Sequence, residues 1–162
     1  MKLTTQGFGE IEINTEDIIS FGDGLPGFAD DKRFVILLQE DDGGISPIRF
    51  LQSVDNGDLS FVLVDMTAFL PEYRPLVLVE LAKEQGDNFD PDNTMIYNIA
   101  TIYEELMDST VNLKAPIVVN LEQKIGRQFL CGDDFPIRAR LFDQSATKGC
   151  GCGCGCGGDG KC

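Results

Sequence analysis

The sequence predicts a mainly β chain, all-β apart from one short helix, and three observations carry that expectation. Strand-like runs recur about eight times, with turn signals at the roughly 8–12-residue spacing of a sandwich or closed barrel. The segment TVNLKAPIVVN (residues 110–120) reads as one β-type run with a polar, proline-punctuated entry. After Gln144 the composition changes abruptly to glycine and cysteine. These features divide the chain into a β domain over residues 1–144 and a tail over 145–162.

The elements follow in order. Residues 2–6 and 10–14 flank Gly7-Phe8-Gly9 as a hairpin, with Ile11 and Ile13 alternating against Glu10 and Glu12. Residues 34–38 form a short apolar strand that ends at Asp41-Asp42-Gly43-Gly44. Residues 48–54 and 59–64 make a second hairpin around Asp55-Asn56-Gly57-Asp58, where Asn-Gly is a strong turn signal. Residues 95–103 alternate again and place Ile96, Asn98, Ala100 and Ile102 on one face. Residues 117–121 and 128–131 form a third hairpin around Lys124-Ile125-Gly126, and residues 136–142 add a last strand. Between them, residues 76–84 read as a strand running into a short helix. Pro75 is tolerated at such a start and Gly86 ends it.

Composition narrows the function. With 162 residues and 43% hydrophobic content the chain can bury a core and is not a disordered polymer. No run approaches the roughly 18 apolar residues of a membrane span. The start, MKLTTQGFGEIEI, lacks the apolar centre of a signal peptide, so a cytoplasmic protein without membrane contact is expected. The net charge of −14 disfavours direct nucleic-acid binding and favours encounter with basic proteins. It also serves solubility alone. The chain has no histidine, so the commonest general base and metal ligand is missing, and a non-enzyme is expected.

Four motifs in order carry a resemblance: GLPGF (residues 24–28), FLQSVDN (50–56), TVNLKAPIVVN (110–120) and GRQFL (126–130). Together they resemble FliW, the flagellar assembly factor family of bacteria, over residues 1–142. The resemblance implies the barrel-like version of the antiparallel β domain. It also implies a regulatory binding protein with two partners, the RNA-binding translational repressor CsrA and flagellin. Export of flagellin frees such a protein to bind CsrA, which relieves repression of flagellin translation. No cofactor is required for that role. The resemblance does not fix contact residues.

Candidates for partner contact therefore rest on residue chemistry. Asp65, Phe69, Glu72 and Tyr73 lie in DMTAFLPEYRP, an apolar group rimmed by charge. Folding back over a barrel end is the competing reading. Gln52 is either a paired core amide or a contact, the former taking precedence because buried polar groups are usually paired. Asn112 and Lys114 stand where a loop presents them, although an Asn in a bend often bonds its own backbone. GLPGF lacks the lysine and spacing of a phosphate loop and reads as a tight turn, anchored by Leu25 and Phe28, with a partner-contact loop as the lesser reading. Cys131 reads as a packed small hydrophobe.

The tail carries Cys150, Cys152, Cys154, Cys156 and Cys162. Its C-x-C spacing differs from the C-x2-C of zinc hairpins, and glycines alone let neighbouring thiolates converge. Such soft ligands suit zinc or copper(I). A thiol-rich metal-binding or redox role is thus the alternative function, beside an inert extension that stays reduced. The tail is expected to be disordered when reduced and metal-free. It has no counterpart in the FliW pattern.

Overall fold

The computed structural model describes residues 1–41 and 44–142. The expected Cys/Gly-rich tail with its five cysteines, and the centre of the turn expected at 41–44, lie outside the described residues.

Eleven strands and one α-helix are present among the described residues, and seven of the strands close a barrel. The first hairpin, β1 (Lys2–Thr5) and β2 (Gly9–Glu12), stands apart as a two-stranded sheet. Gly9 takes φ 68° where the chain re-enters it. The barrel starts with β3 (Ile19–Ser20), β4 (Arg33–Asp41), β5 (Gly44–Ser53), β6 (Ser60–Val64) and β7 (Thr94–Thr101), paired antiparallel in that order. Strand β9 (Ile117–Asn120) then pairs with β7, and β10 (Ile125–Gln128) pairs with β9. One parallel contact, Ile125 beside Ser20, closes the ring through β3. Two short strands, β8 (Thr110–Val111) and β11 (Ala139–Arg140), extend from β7 outside it.

Two apolar clusters explain why β7 and β9 are buried on both faces. Inside the barrel, Ile19, Phe21, Leu25, Phe34, Leu51, Leu63, Tyr97, Ile117 and Val119 pack together. Strand β10 contributes Gly126 there because a Cβ would stand 2.4 Å from the Phe21 ring. Outside, Val64, Ile96, Ala100 and Val118 meet Tyr73, Val77 and Leu81 of helix α1 (Tyr73–Gln85). A smaller cluster of Leu3, Ile13, Val35 and Val54 seats the first hairpin.

Several expected elements are corrected. Residues 76–84 are not a strand leading into a helical turn; they belong to α1, which runs 13 residues. Its buried positions Tyr73, Val77 and Leu81 recur every fourth residue, the spacing of one helix face. The pattern is masked in the sequence because Leu76 and Val79 are apolar yet half exposed on the other side. Pro75 fits in the first turn, where backbone N–H groups have no intrahelical partner. The helix ends at Gly86, whose N–H donates to the Ala82 carbonyl and whose φ is 61°. The third hairpin turns at residues 121–124 rather than 124–126, with Lys124 at φ 53° and the Asn120 carboxamide accepting from the Gln123 N–H at 2.9 Å. The run 110–120 is two strands separated by a loop. Residues 95–103 end as a strand at Thr101, so Ile102 leaves the buried face. Of residues 136–142, Ala139–Arg140 alone form a strand, β11, beside β8.

Candidate functional site: a surface built by the loops

Three of the four motifs converge on one side of the barrel. In GLPGF, the Phe28 N–H donates to the Leu25 carbonyl at 2.7 Å, with Pro26 and Gly27 (φ 85°) between them. This is a turn with Pro second and glycine third, where a positive φ is required. Leu25 plugs the barrel at 2% exposure, whereas Phe28 lies half exposed with its ring edge-to-face on Phe61 at 5.3 Å. Leu25 therefore anchors the turn and Phe28 does not enter the core. The loop faces Ala115, Arg127, Gln128 and Leu130 across an open groove of about 530 Å³. Arg127 crosses from that groove to the helix. It forms an ion pair with Glu84 and lies 5.3 Å above the Phe129 ring, and its guanidinium holds the Glu84 carboxyl below the usual range.

The contact candidates fall into two groups. Gln52 is 1% exposed, and its amide donates to the Ser53 and Leu59 carbonyls at 3.0 Å and to those of Asn56 and Gly57 at 3.3 Å. It builds the β5–β6 turn from within and has no donor left for a partner. Tyr73 is equally buried. Its hydroxyl donates to the Leu113 carbonyl at 2.6 Å and accepts from the Asn98 carboxamide at 2.8 Å, with the Phe135 ring edge-on at 5.7 Å. Burial pushes this phenol's pKa well above its ordinary value. Asn98 also donates to the Asn112 carbonyl at 2.8 Å, so one polar network ties helix α1 to the β8–β9 loop.

That loop holds Asn112 and Lys114 together. The Asn112 side-chain oxygen accepts from the N–H groups of Lys114 at 3.1 Å and Ala115 at 3.0 Å. Lys114 reaches Asp133 at 2.8 Å, and its ammonium keeps the Asp133 carboxyl below the usual range. On the other flank of α1, Asp65 caps a short 3₁₀ turn by accepting from the Thr67 N–H at 2.9 Å. Phe69 is partly buried and packs edge-to-face on Phe142 at 6.0 Å, and Glu72 is exposed. The structure thus joins Tyr73, Asn112 and Lys114, sets Asp65, Phe69 and Glu72 beside the helix start, and leaves Gln52 elsewhere.

Cys131 packs in the outer cluster at 4% exposure, as a small hydrophobe does. Burial, helped by the Glu80 charge, pushes its thiol up to about 11. The thiolate is the reactive form. In a variant with the five tail cysteines replaced by serine, Cys131 should label slowly at about pH 8, near a free thiol's pKa, and rapidly only in denaturant. Fast labelling of the folded variant would contradict this packing.

Sequence reasoning passed over two features. Arg127 drew no notice because its partner, Glu84, stands 43 residues away. The strand expected over residues 95–103 takes in Ile102 and Tyr103 and stops there, so residues 104–108 carry no expectation, although YEELMD mixes apolar and acidic residues without a period of two.

Among the described residues, no helix is long and apolar enough to cross a membrane. The FliW protein family profile matches residues 2–141. The flagellar assembly factor FliW of Desulfitobacterium hafniense (strain DSM 10664 / DCB-2) is 40% identical over 150 residues, covering 92% of this chain and 96% of that relative. The one from Geobacillus thermodenitrificans is 36% identical over 149 residues, covering 91% and 100%. The crystal structure of the flagellar assembly factor FliW superposes with a TM-score of 0.72 at 33% identity, covering 88% of this chain and 97% of the other. A match over nearly all of residues 1–142, in both sequence and fold, places this chain in the FliW family of flagellar assembly factors.

Proposed function

We propose that this chain is a cytoplasmic regulatory protein of flagellum assembly that binds CsrA and flagellin alternately. While flagellin is abundant it occupies the chain; as flagellin is exported, the chain turns to CsrA and relieves repression of flagellin translation. The observation that carries this reading is the family match over residues 2–141. The net charge of −14 supports it, since a protein that holds RNA presents basic surface, and opposite charge speeds encounter. The same charge repels RNA from the bound repressor.

Contact is proposed at the start of α1, through Asp65, Phe69 and Glu72, and at the loop carrying Asn112 and Lys114. Tyr73 holds these two elements together from inside, while Gln52 belongs to the β5–β6 turn.

Calorimetry of the full chain against CsrA and flagellin from the same organism tests the reading directly. Submicromolar binding to each is expected, and no binding to either overturns it. The electrostatic part has its own signature. Raising salt from about 0.05 to 0.5 M should slow CsrA association roughly tenfold or more, with little change in dissociation. Equal association rates at both salts would contradict steering by charge.

A further inference from the structure

Residues 102–109 connect β7 to β8 and expose Ile102, Tyr103, Leu106 and Met107 by 39%, 42%, 58% and 58%. None of the four belongs to the apolar clusters that hold the fold together. Between them, Glu104, Glu105 and Asp108 are exposed, and with Tyr103, Thr110 and Arg138 they line an open depression of about 490 Å³. Aromatic and methionine side chains grouped at a surface and rimmed by charge are the composition of a protein-binding patch.

The loop is nevertheless held in shape. The Asp108 N–H donates to the Glu105 carbonyl at 2.9 Å, and the Ser109 N–H donates to Leu106 at 3.0 Å. Ser109 is fully buried, and its hydroxyl accepts from the Tyr103 N–H at 3.2 Å. A loop already ordered loses less entropy when it binds. It is also continuous with the segment proposed above. The Leu141 N–H donates to the Ser109 carbonyl at 2.8 Å, and the adjoining Phe142 packs on Phe69.

We propose that residues 102–108 are the anchor of the partner surface and that their occupant is a cationic amphipathic protein segment. Apolar side chains of that segment cover Tyr103, Leu106 and Met107. Its Lys or Arg side chains meet Glu104, Glu105 and Asp108. Charge complementarity carries the choice, because three carboxylates against the one guanidinium of Arg138 repel an anionic occupant. The proposal rests on the partner reading above and adds to it the surface and the chemistry recognised.

The test uses the full chain with CsrA as probe and follows association and dissociation by surface plasmon resonance. The double variant L106S/M107S removes the apolar anchor from exposed positions. It should weaken binding about tenfold or more through faster dissociation. The triple variant E104Q/E105Q/D108N should slow association several-fold. The control L76S/V79S, on the exposed side of α1, should bind as the parent does. Unchanged denaturation midpoints show that each variant is folded. Parent binding that survives both loop variants overturns this surface and leaves the partner reading standing. Parent binding lost equally in the control also overturns it. Absence of parent binding overturns the partner reading, and the surface with it.

Discussion

Replacing Tyr73 by alanine should cost about 3–5 kcal/mol of folding stability, the range for deleting a large buried aromatic side chain. The ring is 2% exposed and packs among Val77, Leu113 and Phe135 on the outer face of the barrel. Its hydroxyl also serves two groups, the Leu113 carbonyl and the Asn98 carboxamide. Asn98 has little in reserve, because its own side-chain oxygen is buried without a partner among the described residues. Tyr73→Phe keeps the ring and orphans the Leu113 carbonyl, so about 1–3 kcal/mol should be lost. Urea denaturation reads both as a shift in midpoint at constant slope. The same pair separates folding from recognition. If Tyr73 positions the β8–β9 loop from within, Tyr73→Phe protein that remains folded should still bind its partners. A Tyr73→Ala loss below 1 kcal/mol would mean the helix is not seated as described.

Gly24→Ala should cost about 2–5 kcal/mol. Gly24 has φ 68°, a region that costs a residue with a side chain roughly 1–2 kcal/mol. A Cβ there would also stand 2.7 Å from both Ala29 Cα and the Phe28 carbonyl oxygen, and overpacking adds about 1–3 kcal/mol. Both close neighbours are backbone atoms, so no side chain can rotate away. Gly27 is the internal control. Its φ is 85°, but nothing lies within 4 Å of its Cβ position, so Gly27→Ala should lose only the conformational part. Equal losses at the two positions would show that the crowding around Gly24 is relieved by a small backbone shift. The comparison matters for the site because Gly24 and Gly27 both line the groove opposite β10.

Local chemistry made much of this fold legible. The hairpins at Gly7–Gly9 and Asn56-Gly57 follow from turn residues a few positions apart, and β1, β2, β5 and β6 lie within a residue or several of where those turns put them. Barrel closure was not readable from pattern alone and entered through the family resemblance. It depends on β7 meeting β9 and on one bridge between β3 and β10, pairings that no local signal specifies. Helix α1 was misread as partly strand because its solvent face carries Leu76 and Val79, which hides the helical period.

The candidate site was legible only in part. Asn112 does sit in a bend and bonds the backbone there, a consequence of its short side chain. Tyr73 and Gln52 have the look of contact residues because both carry a polar end on a larger body. Where that end is satisfied is decided by residues distant in sequence, Leu113 and Asn98 for one and the turn carbonyls for the other. The exposed run at Tyr103–Met107 shows the converse. Tyr103 falls at the end of the strand expected over residues 95–103, and only the bend after Thr101 turns it to solvent.

In the proposed partner switch, CsrA and flagellin cannot occupy the chain together. The most direct measurement titrates CsrA into a preformed complex of the full chain with flagellin and follows labelled flagellin by fluorescence anisotropy. CsrA should displace flagellin, with a midpoint that rises in proportion to the flagellin concentration. A stable ternary complex, with anisotropy that climbs as CsrA is added, would contradict it.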